Sequence, residues 1–359
     1  MAKSGQHGGN VLQMAEKCGV APDLMLDFSA NINPLGMPGS LKHAIMTHLH
    51  LAERYPDIDY QALHAALSRH TTCPPEWILA GNGATELIFS IVRYLKPKKA
   101  LLPVPGFAEY RRALQREGCE IIHYPLLEED DFQPTAQILS ALTADIDCLF
   151  LCTPNNPTGQ YPDQALLLAI IAHCQQHDIA LIVDESFIDF LPVQQGLTAC
   201  LSANHQLYLL RSLTKFFAIP GLRLGYLISA NEQAISSMRN LQEPWTINAF
   251  AALAGETVLD DHHYIQQTYQ WLEQEQRYLF ESLSTFSALK IWRPAANYIF
   301  IRCLDETLNL QDALLAHRIL IRHCANYPGL NAHYYRVAIK SHADNQALIA
   351  ALKQVFSHG

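Results

Sequence analysis

Through the middle of the chain, short and almost wholly apolar runs alternate with stretches whose apolar residues recur at intervals of three and four. The runs at 100–104, 148–152, 180–183, 207–210 and 224–229 are continuous rather than alternating, the pattern of strands buried on both faces. Between them, stretches such as 165–177 carry helical periodicity. Alternating strands and helices predict a largely parallel sheet covered on both sides, with polar motifs gathered at the carboxyl ends of its strands. After Asn231 the pattern shifts to long helices, including 264–284, and then to strand-like pieces at 298–302, 318–322 and 335–339. That change predicts a second, smaller α+β unit. The segment before about residue 45 is rich in Gly, Asn and Pro and is expected to form an arm rather than a domain.

Size and composition narrow the options. A chain of 359 residues buries a large core and suits one large and one small domain. A net charge of −9 argues against a nucleic-acid surface, which needs clustered cations. No apolar run approaches the length of a membrane span, and the start Met1-Ala2-Lys3-Ser4-Gly5-Gln6 lacks a signal-peptide core. The nine cysteines are scattered without a Cys-x-x-Cys pair, as in reduced cytoplasmic proteins. The 17 histidines show no spaced zinc pattern, so no metal is assigned.

Several strings carry chemistry. Lys215 lies in Ser212-Leu213-Thr214-Lys215-Phe216-Phe217, with Arg223 one short loop downstream. A lysine whose neutral amine attacks an aldehyde needs a depressed pKa, and Ser212, Thr214 and Arg223 could hold a phosphate beside it. An aldehyde and a phosphate on one cofactor point to pyridoxal 5'-phosphate (PLP). Asp184 ends the apolar run Leu181-Ile182-Val183; a buried acid there is satisfied either structurally or by facing the cofactor's pyridine nitrogen. Gly81-Asn82-Gly83-Ala84-Thr85 stands between a strand-like and a helical stretch, where backbone donors and the helix dipole can cradle an anion. It has no P-loop lysine, which speaks against ATP. Thr153-Pro154-Asn155-Asn156-Pro157-Thr158-Gly159 reads as a rigid loop whose Asn156 can donate to a phenolate. Phe107 could stack on a planar ring or serve as a core aromatic.

In this order, the motifs resemble the fold type I PLP enzymes, the aspartate-aminotransferase-like group, over nearly the whole chain. The resemblance implies a large PLP-binding domain at 45–260 with a mostly parallel seven-stranded sheet, a small C-terminal α+β domain at 261–359, and an arm at 1–44 closing over the site. It extends to two branches, the histidinol-phosphate aminotransferases and the threonine-phosphate decarboxylases of cobalamin biosynthesis. His7-Gly8-Gly9-Asn10, the run 26–36, Glu53-Arg54-Tyr55-Pro56-Asp57 and the irregular run 319–330 look like the decarboxylases. The aminotransferases usually carry a tyrosine where this chain has Phe187, so the phenolate contact it would make is missing.

The resemblance also implies roles. Lys215 would carry PLP; Asp184, Asn156, Phe107, Ser212, Thr214, Arg223 and the loop at Gly83, Ala84 and Thr85 would hold it. Tyr55 would reach the cofactor phosphate of a partner subunit in a homodimer. Arg336 would fork onto the substrate carboxylate, and Arg322, with His7, Gly8 and Asn31, would take a substrate phosphate beside Asn156. The expected activity is decarboxylation of O-phospho-L-threonine to (R)-1-aminopropan-2-yl phosphate and CO2, with an aminotransferase acting on histidinol phosphate as the alternative. A third class, a binding protein that lost catalysis, sits poorly with retention of Lys215, Asp184, Asn156 and Arg223 together.

Overall fold

The computed structural model describes residues 8–191 and 196–357; His7, a candidate phosphate ligand, lies outside them. A seven-stranded sheet runs through the first two thirds of the chain, in the spatial order Ile78–Gly81, Gly225–Ile228, Leu207–Ser212, Ala180–Asp184, Cys148–Cys152, Lys99–Val104, Glu120–Pro125. All are parallel except Gly225–Ile228, which pairs antiparallel with both neighbours. The five inner strands from Gly225–Ile228 to Lys99–Val104 are buried almost throughout, matching their continuous apolar runs. Helices such as Gly83–Leu95 and Gln164–Gln176 cover the two faces, and their buried residues (Leu87 and Ile91, Leu167 and Ile171) recur at helical spacing.

Glu120–Pro125 is an edge strand that the apolar pattern does not announce. Most of its residues are exposed or half-exposed and only one flank is paired, so it needs no apolar run. The strand expected at 318–322 is instead two short pieces. Ile319–Leu320 pairs in parallel with Leu26–Asp27 of the amino-terminal arm, and Arg322–His323 joins an antiparallel four-stranded sheet with Tyr334–Ala338, Tyr298–Cys303 and Leu289–Ile291. The chain thus passes from one sheet to the other across Ile321. Helices His262–Ser284 and His342–Ser357 pack together beside this second sheet. All nine cysteines are free thiols, seven of them buried. Among the described residues, no helix is long and apolar enough to cross a membrane.

Candidate active site

Three loops that follow parallel strands converge at one end of the large sheet. After Ile78–Gly81, the helix Gly83–Leu95 begins with Gly83 at φ +78°, and its N-cap residue Asn82 makes no side-chain cap. The first-turn N–H groups therefore face outward with no capping side chain, the setting in which a helix N-terminus accepts an anion. A Cβ placed on Gly83 would come within 2.5 Å of the Arg223 guanidinium, so glycine is what lets that cation lie against the loop. Arg223 also donates from Nη1 to the Pro220 carbonyl at 3.1 Å. Gly225 has a similar role one strand over: a Cβ there would meet the Ala84 amide nitrogen at 2.4 Å.

Lys215 follows Leu207–Ser212, and its ammonium donates to Ser212 Oγ at 3.0 Å, while Ser212 Oγ lies 2.8 Å from Thr214 Oγ1. Burial lowers the Lys215 pKa; Asp184 opposes this and Arg223 adds to it. The result is an amine disposed to be neutral, as a nucleophilic lysine requires. Asp184, at the end of Ala180–Asp184 and 4% exposed, accepts from the Tyr110 hydroxyl at 2.6 Å and from the Ser186 amide at 2.9 Å. Lys215, Asp184, Asn156, Phe107, Ala84 and Thr85 line one cavity. The donor set fits PLP: an uncapped helix start, two hydroxyls and an arginine for a phosphate, a desolvated lysine for an aldehyde, and a buried carboxylate for a ring nitrogen.

Asn156 Oδ1 accepts from Arg336 Nη1 at 2.5 Å and from the Tyr327 hydroxyl at 3.4 Å. With its oxygen so engaged, its amide nitrogen remains to donate into the cavity it lines. The loop is braced by Tyr298, whose hydroxyl donates to the Asn155 carbonyl at 2.7 Å. Phe187 packs edge-on against that tyrosine at 4.9 Å, with the Lys215 amine 5.4 Å from its ring centre.

Arg336 and Arg322 are direct partners on adjacent antiparallel strands, so both side chains leave the same face of the second sheet. Each is 5% exposed. Arg336 Nη2 donates to the Ser29 carbonyl of the arm at 2.7 Å, and its Nε is buried without a partner. Arg322 Nη2 donates to Asn326 Oδ1 at 2.8 Å, and its guanidinium lies over the Tyr327 ring at 5.3 Å. Arg322 opens onto a cavity of about 240 Å³ lined also by Asn10 and Ser29. Gly8 packs so closely on Ser29 that a Cβ would meet its carbonyl oxygen at 2.1 Å. Asn31 is buried, and its Oδ1 has no partner. Tyr55 stands apart, 79% exposed and 4.5 Å from the Trp245 ring.

The structure therefore gathers the predicted cofactor residues, apart from Tyr55, around Lys215, and joins the arm to the two arginines. The sequence alone does not single out Tyr110, Tyr327, Tyr298 and Ser29. Only Tyr110 has a local signal, since it lies three residues after Phe107, the N-cap of the helix Ala108–Arg116. The other three are joined to the site by contacts across 143 or more residues.

Residues 24–352 match the family described as aminotransferase class I and II. The threonine-phosphate decarboxylase of Salmonella typhimurium is 53% identical over 351 residues, covering 98% of this chain and 96% of that protein. The adenosylcobalamin biosynthesis bifunctional protein CobDQ of Leptospira interrogans is 32% identical, over 98% of this chain and 41% of that longer protein. Among solved structures, the histidinol-phosphate aminotransferase of Clostridium acetobutylicum superimposes with a TM-score of 0.88 at 30% identity, over 93% of this chain and all of the other.

Proposed function

The chain belongs to the aminotransferase class I and II family, within its threonine-phosphate decarboxylases, and from that premise we propose how its residues divide the work. The protein is a carbon–carbon lyase that decarboxylates O-phospho-L-threonine, yielding (R)-1-aminopropan-2-yl phosphate and CO2 for cobalamin synthesis. The observation that carries the residue assignment is the pairing of Arg322 with Arg336 on one sheet face. The substrate has two anionic groups, a carboxylate on Cα and a phosphate on the Cβ oxygen, and two adjacent guanidinium groups match them.

PLP, when bound, supplies an electron sink for the Cα bond that stands perpendicular to its ring. The protein's task is to choose that bond. Arg336, its position fixed by Ser29 and Asn156, would hold the substrate carboxylate and so select the Cα–carboxylate bond for cleavage. Arg322, with Gly8 and Asn31, would hold the phosphate and stop the substrate turning; the same role assigned to His7 falls on a residue outside those described. Asn156 would donate from Nδ2 to the cofactor's phenolate oxygen, and Phe107 would pack against its ring. Lys215 Nζ in its protonated form, or a nearby tyrosine, would supply the proton that Cα takes up once CO2 has left. The arm, assigned to 1–44, would close over the large domain at 45–260 and the small domain at 261–359 and keep water from the reacting carbon.

Phe187 supports this reading over transamination, because its ring offers no hydroxyl to the phenolate. O-phospho-L-threonine is expected to release CO2 with no keto-acid acceptor present, and histidinol phosphate with 2-oxoglutarate to give little glutamate. In Arg322→Ala, turnover of phosphothreonine should fall about tenfold to a hundredfold, the worth of a lost charge-assisted contact, while PLP affinity is kept. The reverse substrate pattern would make the enzyme an aminotransferase. Undiminished phosphothreonine turnover would remove Arg322 as the phosphate anchor.

A cytoplasmic homodimer completes the proposal. Nine unpaired thiols suit a reducing compartment. Tyr55, Leu49, Ile58 and Met46 are large apolar side chains exposed within one short stretch, the sort of patch a second copy would cover. Tyr55 would then reach the neighbouring subunit's cofactor phosphate. Sedimentation of the active protein should give twice the 40.3 kDa chain mass; full activity in a monomer would rule the arrangement out.

A further inference from the structure

We propose that Tyr110 is a positioning residue for Asp184, fixing the direction from which that carboxylate meets the cofactor ring. The inference rests on the assignment of Asp184 to the ring nitrogen. Each carboxylate oxygen has its own donor: the Tyr110 hydroxyl reaches Oδ2 at 2.6 Å and the Ser186 amide reaches Oδ1 at 2.9 Å. Two donors at opposite ends stop the carboxylate from rotating about its Cβ–Cγ bond, so its remaining lone pairs point in set directions.

Tyr110 is well placed to do this. Its side chain is 2% exposed, stacked on Phe150 at 5.0 Å with an 18° tilt, and edge-on to Phe107 at 5.6 Å. Rings on two sides hold the tyrosine ring in place, and with it the hydroxyl oxygen beside Asp184. Burial, followed by the neighbouring Asp184 charge, holds the Tyr110 pKa well above its ordinary value, and burial pushes the nearby Cys152 thiol up to about 12. The phenol therefore remains a neutral donor, and no second anion forms beside Asp184. A hydrogen bond donated to a carboxylate in a dry site is among the stronger kinds. Tyr110 also joins Phe107 to Asp184, linking the ring that would cover the cofactor to the acid that would face its nitrogen.

Tyr110→Phe removes the hydroxyl and keeps the ring packing. PLP affinity of the apoenzyme, measured by absorbance titration, should weaken about tenfold, with the visible absorption band shifted as the ring nitrogen loses a steady partner. Asp184→Asn should weaken it further, and adding Tyr110→Phe to that background should cost nothing more, because the two side chains act as one unit. Equal losses in both backgrounds would mean that the Tyr110 hydroxyl acts independently of Asp184, and no loss from Tyr110→Phe would mean that Tyr110 only packs; either would overturn the inference while sparing Asp184. If Asp184→Asn leaves affinity and spectrum unchanged, the assignment of Asp184 falls, and the role of Tyr110 with it.

Discussion

Lys215→Ala is expected to lower decarboxylation by about 10⁴-fold, the upper range for loss of a positioned proton-transferring group. The Lys215 side chain lies half-buried beside Ser212, in a cavity it shares with Asp184 and Asn156. Its amine is pushed towards the neutral form chiefly by burial, with Arg223 adding to the effect. The phosphate contacts proposed for Gly83, Thr214 and Arg223 would not depend on the lysine, so the variant should still take up PLP. Binding would then be reversible: borohydride would link cofactor to the wild-type chain and leave the variant's mass unchanged. Cofactor still fixed to Lys215→Ala after reduction would mean that another lysine does the work.

A comparably large effect, on stability, is expected at Arg211. Its Nε donates to Glu185 Oε2 at 2.7 Å and its Nη1 lies 3.6 Å from Asp189 Oδ1; Glu185 is wholly buried, and its Oε1 accepts from the Leu197 amide at 2.8 Å. Arg211→Met would fill most of the space but strand a buried carboxylate, which costs about 3–5 kcal/mol. Urea unfolding measures the loss directly. Its pH dependence follows from the sign of the Glu185 shift. Burial already raises the Glu185 pKa, and Arg211 holds it down. Without the arginine it rises further, so the folded variant binds a proton that the unfolded chain has released. The variant's stability is therefore lost as pH climbs from the ordinary carboxyl value of 4.5 through the raised one. The deficit should be larger at neutral than at mildly acidic pH, and a deficit equal at both would contradict the stranded-charge account.

Much of this was legible because the chemistry is carried by contiguous strings. Lys215 with its hydroxyls, Asp184 at a strand end, and the Gly83 and Asn156 loops each sit where an apolar run gives way to polar residues, and the inner strands closely match those runs. The rest depends on pairings between distant residues. Nothing in the local sequence says that Arg322 faces Arg336, that Tyr110 reaches an acid 74 residues away, or that Glu185 is matched by Arg211. The edge strand Glu120–Pro125 escaped for a different reason. With most of its residues exposed, neither a continuous run nor a clean alternation marks it. The antiparallel direction of Gly225–Ile228 is equally invisible in a purely apolar segment, which reads the same either way.

The parallel pairing of Leu26–Asp27 with Ile319–Leu320 has a consequence for the order of events on the ribosome. The arm is synthesised first, yet its strand partner emerges roughly 300 residues later, some 15–60 s at about 5–20 residues per second. Ser29 likewise waits for Arg336. All seven strands of the large sheet leave the exit tunnel before these partners do. A nascent chain can therefore build the pocket around Lys215 and hold the arm at Asn33 through Lys215 and Phe216, before the last stretch of translation supplies the partners of Leu26–Asp27 and Ser29. Chains released early, short of residue 319, would keep the whole large sheet and lack the strand against which the arm docks.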